Sequence, residues 1–348
     1  MKLEQAFDPR HNALNLWRLI LATGVIFWHS FPLTGNTIDF QPAVRLLSEV
    51  WVDGFFTVSG FLITASWMRR PHLGEYWRAR FLRIFPGLWV CVAVTAFVIA
   101  PIAAAVKHSS LPLSAEFAYV VNNGLLNVFY AGINGTPKDI PWPGVWNGSL
   151  WTLVFELLCY IAVCVLGVLG LLKRQWVLPT LFVASAVWSA YVSYPTMAQQ
   201  SIPQMLARFA VVFLAGALIH QYRDAIPAHW SLVALCGVIV IASGFAQNYR
   251  LIAALPLAYA IIVSGALVRR FPLRNDISYG MYIYAFPVQQ LLATLGLVSL
   301  HPTVFFLVAA LCTIPLAAAS WFVVEKRAMA LKHPKRQQVA AGTSSHPK

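Results

Sequence analysis

Charge is what this sequence has least of. Charged residues make up 11% of its 348 positions, and acids account for only 12 of them, whereas a soluble globular chain carries about a quarter charged residues. A soluble domain with 59% hydrophobic residues could not hide its apolar surface, but a bilayer removes that need. Cysteine is sparse as well. Cys91, Cys159, Cys164, Cys236 and Cys312 all lie in apolar runs, and no pair has a CxxC or zinc-ligand spacing. Neither a disulfide framework nor a metal site is therefore expected. No internal repeat is visible, and no polar stretch is long enough to form a second, soluble domain. Only the tail from Lys326 to Lys348 is polar, basic and Ser/Pro-containing, which predicts a solvated, largely disordered segment.

What the chain has instead is apolar length. Crossing a hydrocarbon core of about 30 Å takes roughly 20 helical residues. Ten stretches meet or approach that length, near 14–34, 50–68, 84–106, 148–171, 177–194, 203–220, 230–246, 250–268, 278–298 and 303–325. The expected fold is all-α, a polytopic membrane bundle of about ten transmembrane helices. Residues 1–325 would form one membrane-embedded domain, and 326–348 a basic cytoplasmic tail. Arg18 interrupts the first span and no small-residue cleavage site follows it, so a retained helix is expected rather than a signal peptide.

Orientation follows from the basic residues. With the N-terminus in the cytoplasm, twenty lysines and arginines fall on the cytoplasmic side, among them Arg69, Arg70, Arg78, Arg80, Arg83, Arg269, Arg270, Arg274 and those of the tail. Only Arg45, Lys107, Lys138 and Arg250 fall outside. This positive-inside bias places both termini in the cytoplasm of a cell whose inner membrane the chain spans. It also accounts for the net charge of +13, so no nucleic-acid partner is implied. The segment 116–131 is apolar enough to suggest an eleventh span. That span would put twelve basic residues outside, and the segment is broken by Asn122, Asn123 and Gly124. A re-entrant or interfacial piece of an external loop, about 107–147, is expected instead.

Ionisable groups in lipid are costly and need partners or a wet cavity. Arg18 and His29 are eleven residues apart, which puts them on one helical stripe roughly 16 Å apart along the axis. Asp53 enters the second span within its first turn, and Glu156 lies about two turns into the fourth. Arg208 reaches nearly the same layer on another inward-running span. A base, a carboxylate and a cation at one depth on separate helices suggest a site. Plainer readings stand beside it: an intramembrane histidine is often an interhelical hydrogen-bonder, Arg18 can snorkel, and Asp53 can cap a helix. Glu156 is hardest to dismiss, because an unpaired carboxylate there costs several kcal/mol. The segment RRPHLGEYWRARFLR, from Arg69 to Arg83, reads equally well as a topogenic loop or as an anion site, where Arg78, Arg80 and Arg83 hold phosphates through bidentate hydrogen bonds.

Five motifs in order resemble the acyltransferase 3 family of integral-membrane enzymes. NLWRLILATGVIFWHS is similar to that family's Arg-x10-His element, at Arg18 and His29. VDGFFTVSGFLIT, Val52 to Thr64, resembles its second-helix signature. RARFLRIFP matches the arginine–proline motif at Arg80, Arg83 and Pro86, and SLWTLVFE the fourth-helix element at Trp151, Thr152 and Glu156. ISYGMYIYAFPV, Ile277 to Val288, looks like the late Ser-Tyr-x-x-Tyr…Pro helix. The resemblance covers about Asn12 to Glu325. Two departures stand out. Thr152 replaces a common Ser, keeping the hydroxyl, and Ala285 stands where many members have His.

The resemblance implies transfer of an acyl group, expected here to be acetyl, from cytoplasmic acyl-CoA to a hydroxyl of a carbohydrate, such as a surface polysaccharide, glycolipid or secreted oligosaccharide. Acetyl-CoA would be a donor substrate, with no metal, and membrane lipid the surroundings. Arg18, Arg80 and Arg83 would hold the donor, His29 would act as general base, and Glu156 would orient it. Ser59, Thr152 or an indole N–H would face the developing oxyanion. A proton-coupled transporter using His29, Asp53, Glu156 and Arg208 as a relay is the rival from another class. It commonly brings inverted repeats, which are not visible here. A non-catalytic export scaffold is a third reading, and predicts a polar layer tolerant of mutation.

Overall fold

The computed structural model describes residues 1–127, 129–192, 201–268, 273 and 275–332. Outside the described residues lie Arg269, Arg270 and Arg274 of the orientation argument, positions 128, 193 and 194 of the expected apolar segments, and 333–348 of the tail. Among the described residues every regular element is helical. Lipid demands this, because a helix closes its backbone hydrogen bonds internally.

A short helix, α1 (Leu3–Ala6), precedes α2 (Leu14–Leu33) and α3 (Gln41–Arg69). α4 (Leu73–Val94) continues through a widened π turn at Thr95–Ile99 into α5 (Ala100–Val106). After α6 (Leu113–Gly124) and a long loop come α7 (Trp151–Val168), α8 (Val177–Tyr191), α9 (Ile202–Gln221) and α10 (Trp230–Ser243). α11 (Arg250–Leu267), α12 (Ser278–Thr294) and α13 (Pro302–Ala319) follow, and a second π turn, Ser320–Glu325, leads into α14 (Lys326–Ala330).

Each of the ten expected spans falls on one of these helices. Among the described residues, seven segments are long and apolar enough to cross a membrane: α2, α3, Leu73–Val106, α7, α9, α11 and Pro302–Ala330. α8 and α10 are shorter apolar helices, and the 17-residue α12 carries Ser278, Gln289, Gln290 and Thr294. The segment suspected of being re-entrant forms α6, whose 12 residues rise only about 18 Å. It rests on α4, where the Trp89 indole N–H donates to the Gly124 carbonyl at 3.0 Å.

Two features of the packing position the site. α12 is buried on every side, with only Leu291 excepted, as a helix wrapped all round by neighbours must be. α2, α4 and α13 pack against it. The second feature is the crossing of α3 and α9, which run parallel. A Cβ on Gly60 would lie 2.0 Å from the Phe213 carbonyl oxygen, and one on Gly216 2.0 Å from that of Thr57. Only two glycines let these backbones touch, as small residues do where helices meet in lipid. Phe56 stacks on Phe209 just beside this contact, with ring centroids 4.0 Å apart.

Candidate active site

Arg18 and His29 both lie on α2. His29 Nδ1 lies 2.9 Å from the Val25 carbonyl oxygen, one turn earlier. A carbonyl only accepts, so Nδ1 carries the hydrogen and Nε2 is left as the basic nitrogen. The ring is half-buried, edge-on to Phe286 with centroids 5.1 Å apart, and 6.2 Å from Trp142. The expected pairing with Glu156 is absent, since the Val25 carbonyl orients this imidazole instead. Helix geometry makes that bond available within one helix, and no second helix is needed.

Glu156 belongs to a different group. Its Oε1 accepts a short hydrogen bond from the Tyr160 hydroxyl and a longer one, 3.4 Å, from Ser59 Oγ. It lines a cavity of about 50 Å³ together with Arg18, Ser59, Thr152, Tyr279 and Tyr282. Thr152 Oγ1 and the Tyr282 hydroxyl share a hydrogen bond at 2.7 Å, and both lie 3.1 Å from the Ser149 carbonyl oxygen, to which the acceptor of that bond donates. Arg18, Ser59, Thr152 and Glu156 therefore line one cavity, while His29 is not among its lining residues.

Arg18 is held by a carboxylate that sequence reasoning missed. Asp276, just before α12, accepts from Arg18 Nη1 at 2.5 Å and from Arg83 Nη2 at 2.6 Å, both on Oδ2. Its Oδ1 accepts from the Ser278 backbone N–H at 3.2 Å and from the Ser278 hydroxyl, which secures the start of α12. Burial alone would raise the Asp276 carboxyl, but Arg18 and Arg83 hold it down at about 2. Glu325 adds a second negative charge, 3.8 Å from Arg83. The missed signal was the Asp-x-Ser pattern ahead of the late helix, which a search confined to helix interiors passes over.

Arg80 turns the other way. Its guanidinium lies over the Tyr76 ring, 4.2 Å from the centroid, and lines a basin of about 370 Å³ with Arg10, Arg69, Arg70 and Lys332, against one acid, Glu75. Burial together with Arg80, Arg69 and Arg83 pushes the Lys332 ammonium below its ordinary range, which is what excess positive charge does to a neighbouring cation. Basin and cavity are joined through side chains. Tyr76 donates to the Tyr160 carbonyl at 2.9 Å, and Tyr160 donates to Glu156.

A family model described as an acyltransferase domain matches residues 11–322. The chain belongs to the acyltransferase 3 family. A protein of Shigella phage Sf6 named O-acetyl transferase is 28% identical over 346 residues, covering 94% of this chain and 98% of that one. Nodulation protein 10 of Rhizobium leguminosarum bv. viciae is 28% identical over 363 residues, 92% of this chain and 94% of its own. No solved structure matches the chain. Cavity, clamp and histidine all fall in the matched acyltransferase region, whereas Arg10 and Lys332 of the basin lie beyond it.

Four further charges of this acyltransferase form a separate knot. Asp53 accepts from Arg208 Nε at 3.1 Å, from Arg250 Nε at 2.6 Å and from the Tyr249 hydroxyl. Glu49 pairs with Arg250 and lies 3.8 Å from Arg208. Two acids thus balance two bases between α3, α9 and α11, which makes burial of such charges tolerable. Asp53 and Arg208, expected in the reacting layer, are held here instead. Arg250, counted on the outer side, opens α11 and is only 2% exposed. Depth alone had grouped Asp53 and Arg208 with His29 and Glu156, but the faces they occupy differ.

Proposed function

We propose that this acyltransferase is an O-acetyltransferase that moves an acetyl group from acetyl-CoA to a hydroxyl of a carbohydrate, on a surface or exported polysaccharide, glycolipid or oligosaccharide. The observation that carries the reading is the link from the arginine-rich basin through Tyr76 and Tyr160 to the cavity holding Glu156 and Arg18. A basic basin adjoining a polar cavity suits a donor with phosphates at one end and a thioester at the other. In the basin, Arg80, Arg69, Arg70 and Lys332 would hold the phosphates of coenzyme A by charge-assisted contacts. Further along, Glu156 would accept an amide N–H of the pantetheine arm, and Arg18 would mark the way toward His29.

In the transfer step, His29 Nε2 accepts the proton of the acceptor hydroxyl as its oxygen attacks the thioester carbonyl. The C–S bond then breaks, the acetyl group stays on oxygen as an ester, and the thiolate of coenzyme A leaves and takes the proton. The imidazole is a general base here, with the Val25 carbonyl holding its other nitrogen in the required tautomer. Ten helices crossing the inner membrane, with both termini cytoplasmic, would put the basin on the cytoplasmic side, in keeping with the distribution of basic residues.

The reading is tested in washed membranes supplied with labelled acetyl-CoA and alkali-deacetylated surface polysaccharide from the host. Label should pass into base-labile ester on the polysaccharide, in step with release of free coenzyme A. NMR of the surface carbohydrate with and without the gene should show the same acetyl ester gained and lost. Coenzyme A release with no ester on any carbohydrate would remove the acceptor assignment.

A further inference from the structure

Gln289 and Gln290, neighbours on α12, hold two different parts of the protein, and both are fully buried. The Gln289 amide donates to the Ile26 carbonyl and to Ser30 Oγ, at 3.0 Å each, on the turn of α2 that carries His29. The Gln290 amide donates to the carbonyls of Trp142 and Val145, at 2.9 and 2.6 Å, in the loop ahead of α7. Consecutive helical side chains diverge by about 100°, so one helix position grips the helix of the histidine and the next grips the loop. Phe286, one turn earlier, is edge-on to both rings, 5.1 Å from His29 and 5.6 Å from Trp142. The loop passes flat against it, because a Cβ on Gly148 would meet the Phe286 ring at 2.6 Å.

The result is a fixed indole, half-buried, 6.2 Å from the imidazole. Apolar packing alone would hold a loop to a bundle, but two hydrogen bonds from Gln290 to the Trp142 and Val145 carbonyls fix the backbone that carries the indole. The same loop also bounds a separate cavity of about 120 Å³, lined by Trp146 and not by Trp142 or His29. The flat aromatic face of Trp142 suits the C–H face of a pyranose ring.

We propose that Trp142 is the wall of the acceptor subsite, taking the apolar face of a pyranose so that one of its hydroxyls reaches His29, and that Gln290 is the positioning residue holding the indole there. This rests on the carbohydrate reading given above.

The test measures KM for acetyl-CoA and for deacetylated host polysaccharide separately, in membranes of matched protein content. Trp142→Ala should raise the polysaccharide KM about tenfold, leave the acetyl-CoA KM unchanged, and be largely rescued by Trp142→Phe. Gln290→Met keeps the shape but loses both donors, and should copy the Trp142→Ala pattern. If Gln290→Met does not insert, the Trp142 pair decides the matter alone. An unchanged polysaccharide KM in Trp142→Ala, or equal rises for both substrates, overturns the proposal while the carbohydrate reading stands. A wild-type protein that releases coenzyme A but acetylates no carbohydrate removes both.

Discussion

Arg18 and Arg83, 65 residues apart in sequence, close on the same oxygen, Oδ2 of Asp276, at 2.5 and 2.6 Å. One belongs to the helix of the histidine and the other to the arginine–proline motif. Two guanidiniums so near each other repel unless an anion lies between them, and Asp276 is that anion. The clamp sets where Arg18 stands in the cavity.

Asp276→Asn should therefore damage folding as well as turnover. Removing one partner from a buried charge cluster costs about 3–5 kcal/mol. The pH dependence has a definite sign. The carboxyl is held at about 2 against an ordinary 3.8, so its stabilising contribution is full above about pH 4 and disappears as pH falls through about 2. In detergent, the gap in unfolding temperature between wild type and Asp276→Asn should be constant from pH 8 to 5 and shrink below pH 4. A gap that stays constant down to pH 2.5 would contradict the assignment.

The structure separates two arginines that the motif treats alike. Arg80→Ala should weaken acetyl-CoA, raising its KM by the ~1.5–3 kcal/mol of a lost charge-assisted contact, with kcat less affected. Arg83→Ala should instead lower kcat and thermal stability, because it opens the Asp276 clamp and leaves Glu325 without its arginine. Matching donor KM defects in the two variants would return both residues to the phosphates.

His29→Ala should keep insertion and acetyl-CoA binding but lose about 10²–10⁴-fold in transfer, as expected for a missing general base. Glu156→Gln should weaken the donor side. Because the two side chains hold different partners, the double variant should lose close to the product of the single losses, as independent sites do. A double variant no worse than His29→Ala would show that they act as one unit after all.

Reporter fusions check the orientation. A fusion after Arg174 or at the C-terminus should report cytoplasm, and one within 134–140 should report the opposite side. A reporter placing 172–176 outside would reverse every later helix and take the argument from basic residues with it.

Much of this was legible in the chain itself. Apolar runs of about 20 residues in a charge-poor sequence leave a membrane bundle of helices as the only stable answer, because lipid offers backbone groups no other partner. The Arg18–His29 stripe is equally local, being set by the pitch of one helix. The five motifs named the family, and the family match confirms it.

What the sequence could not specify is the direction each buried charge faces across the bundle. Spacing along a span gives depth, whereas the partner depends on rotation about the helix axis, and packing sets that rotation. The contact of Gly60 and Gly216 brings α3 against α9, so Asp53 meets Arg208 rather than the histidine. Asp276 lies before its helix and escapes any search of spans, yet tertiary packing puts it between Arg18 and Arg83. Each pairing brings together residues more than 60 positions apart, and only the fold decides which of them meet.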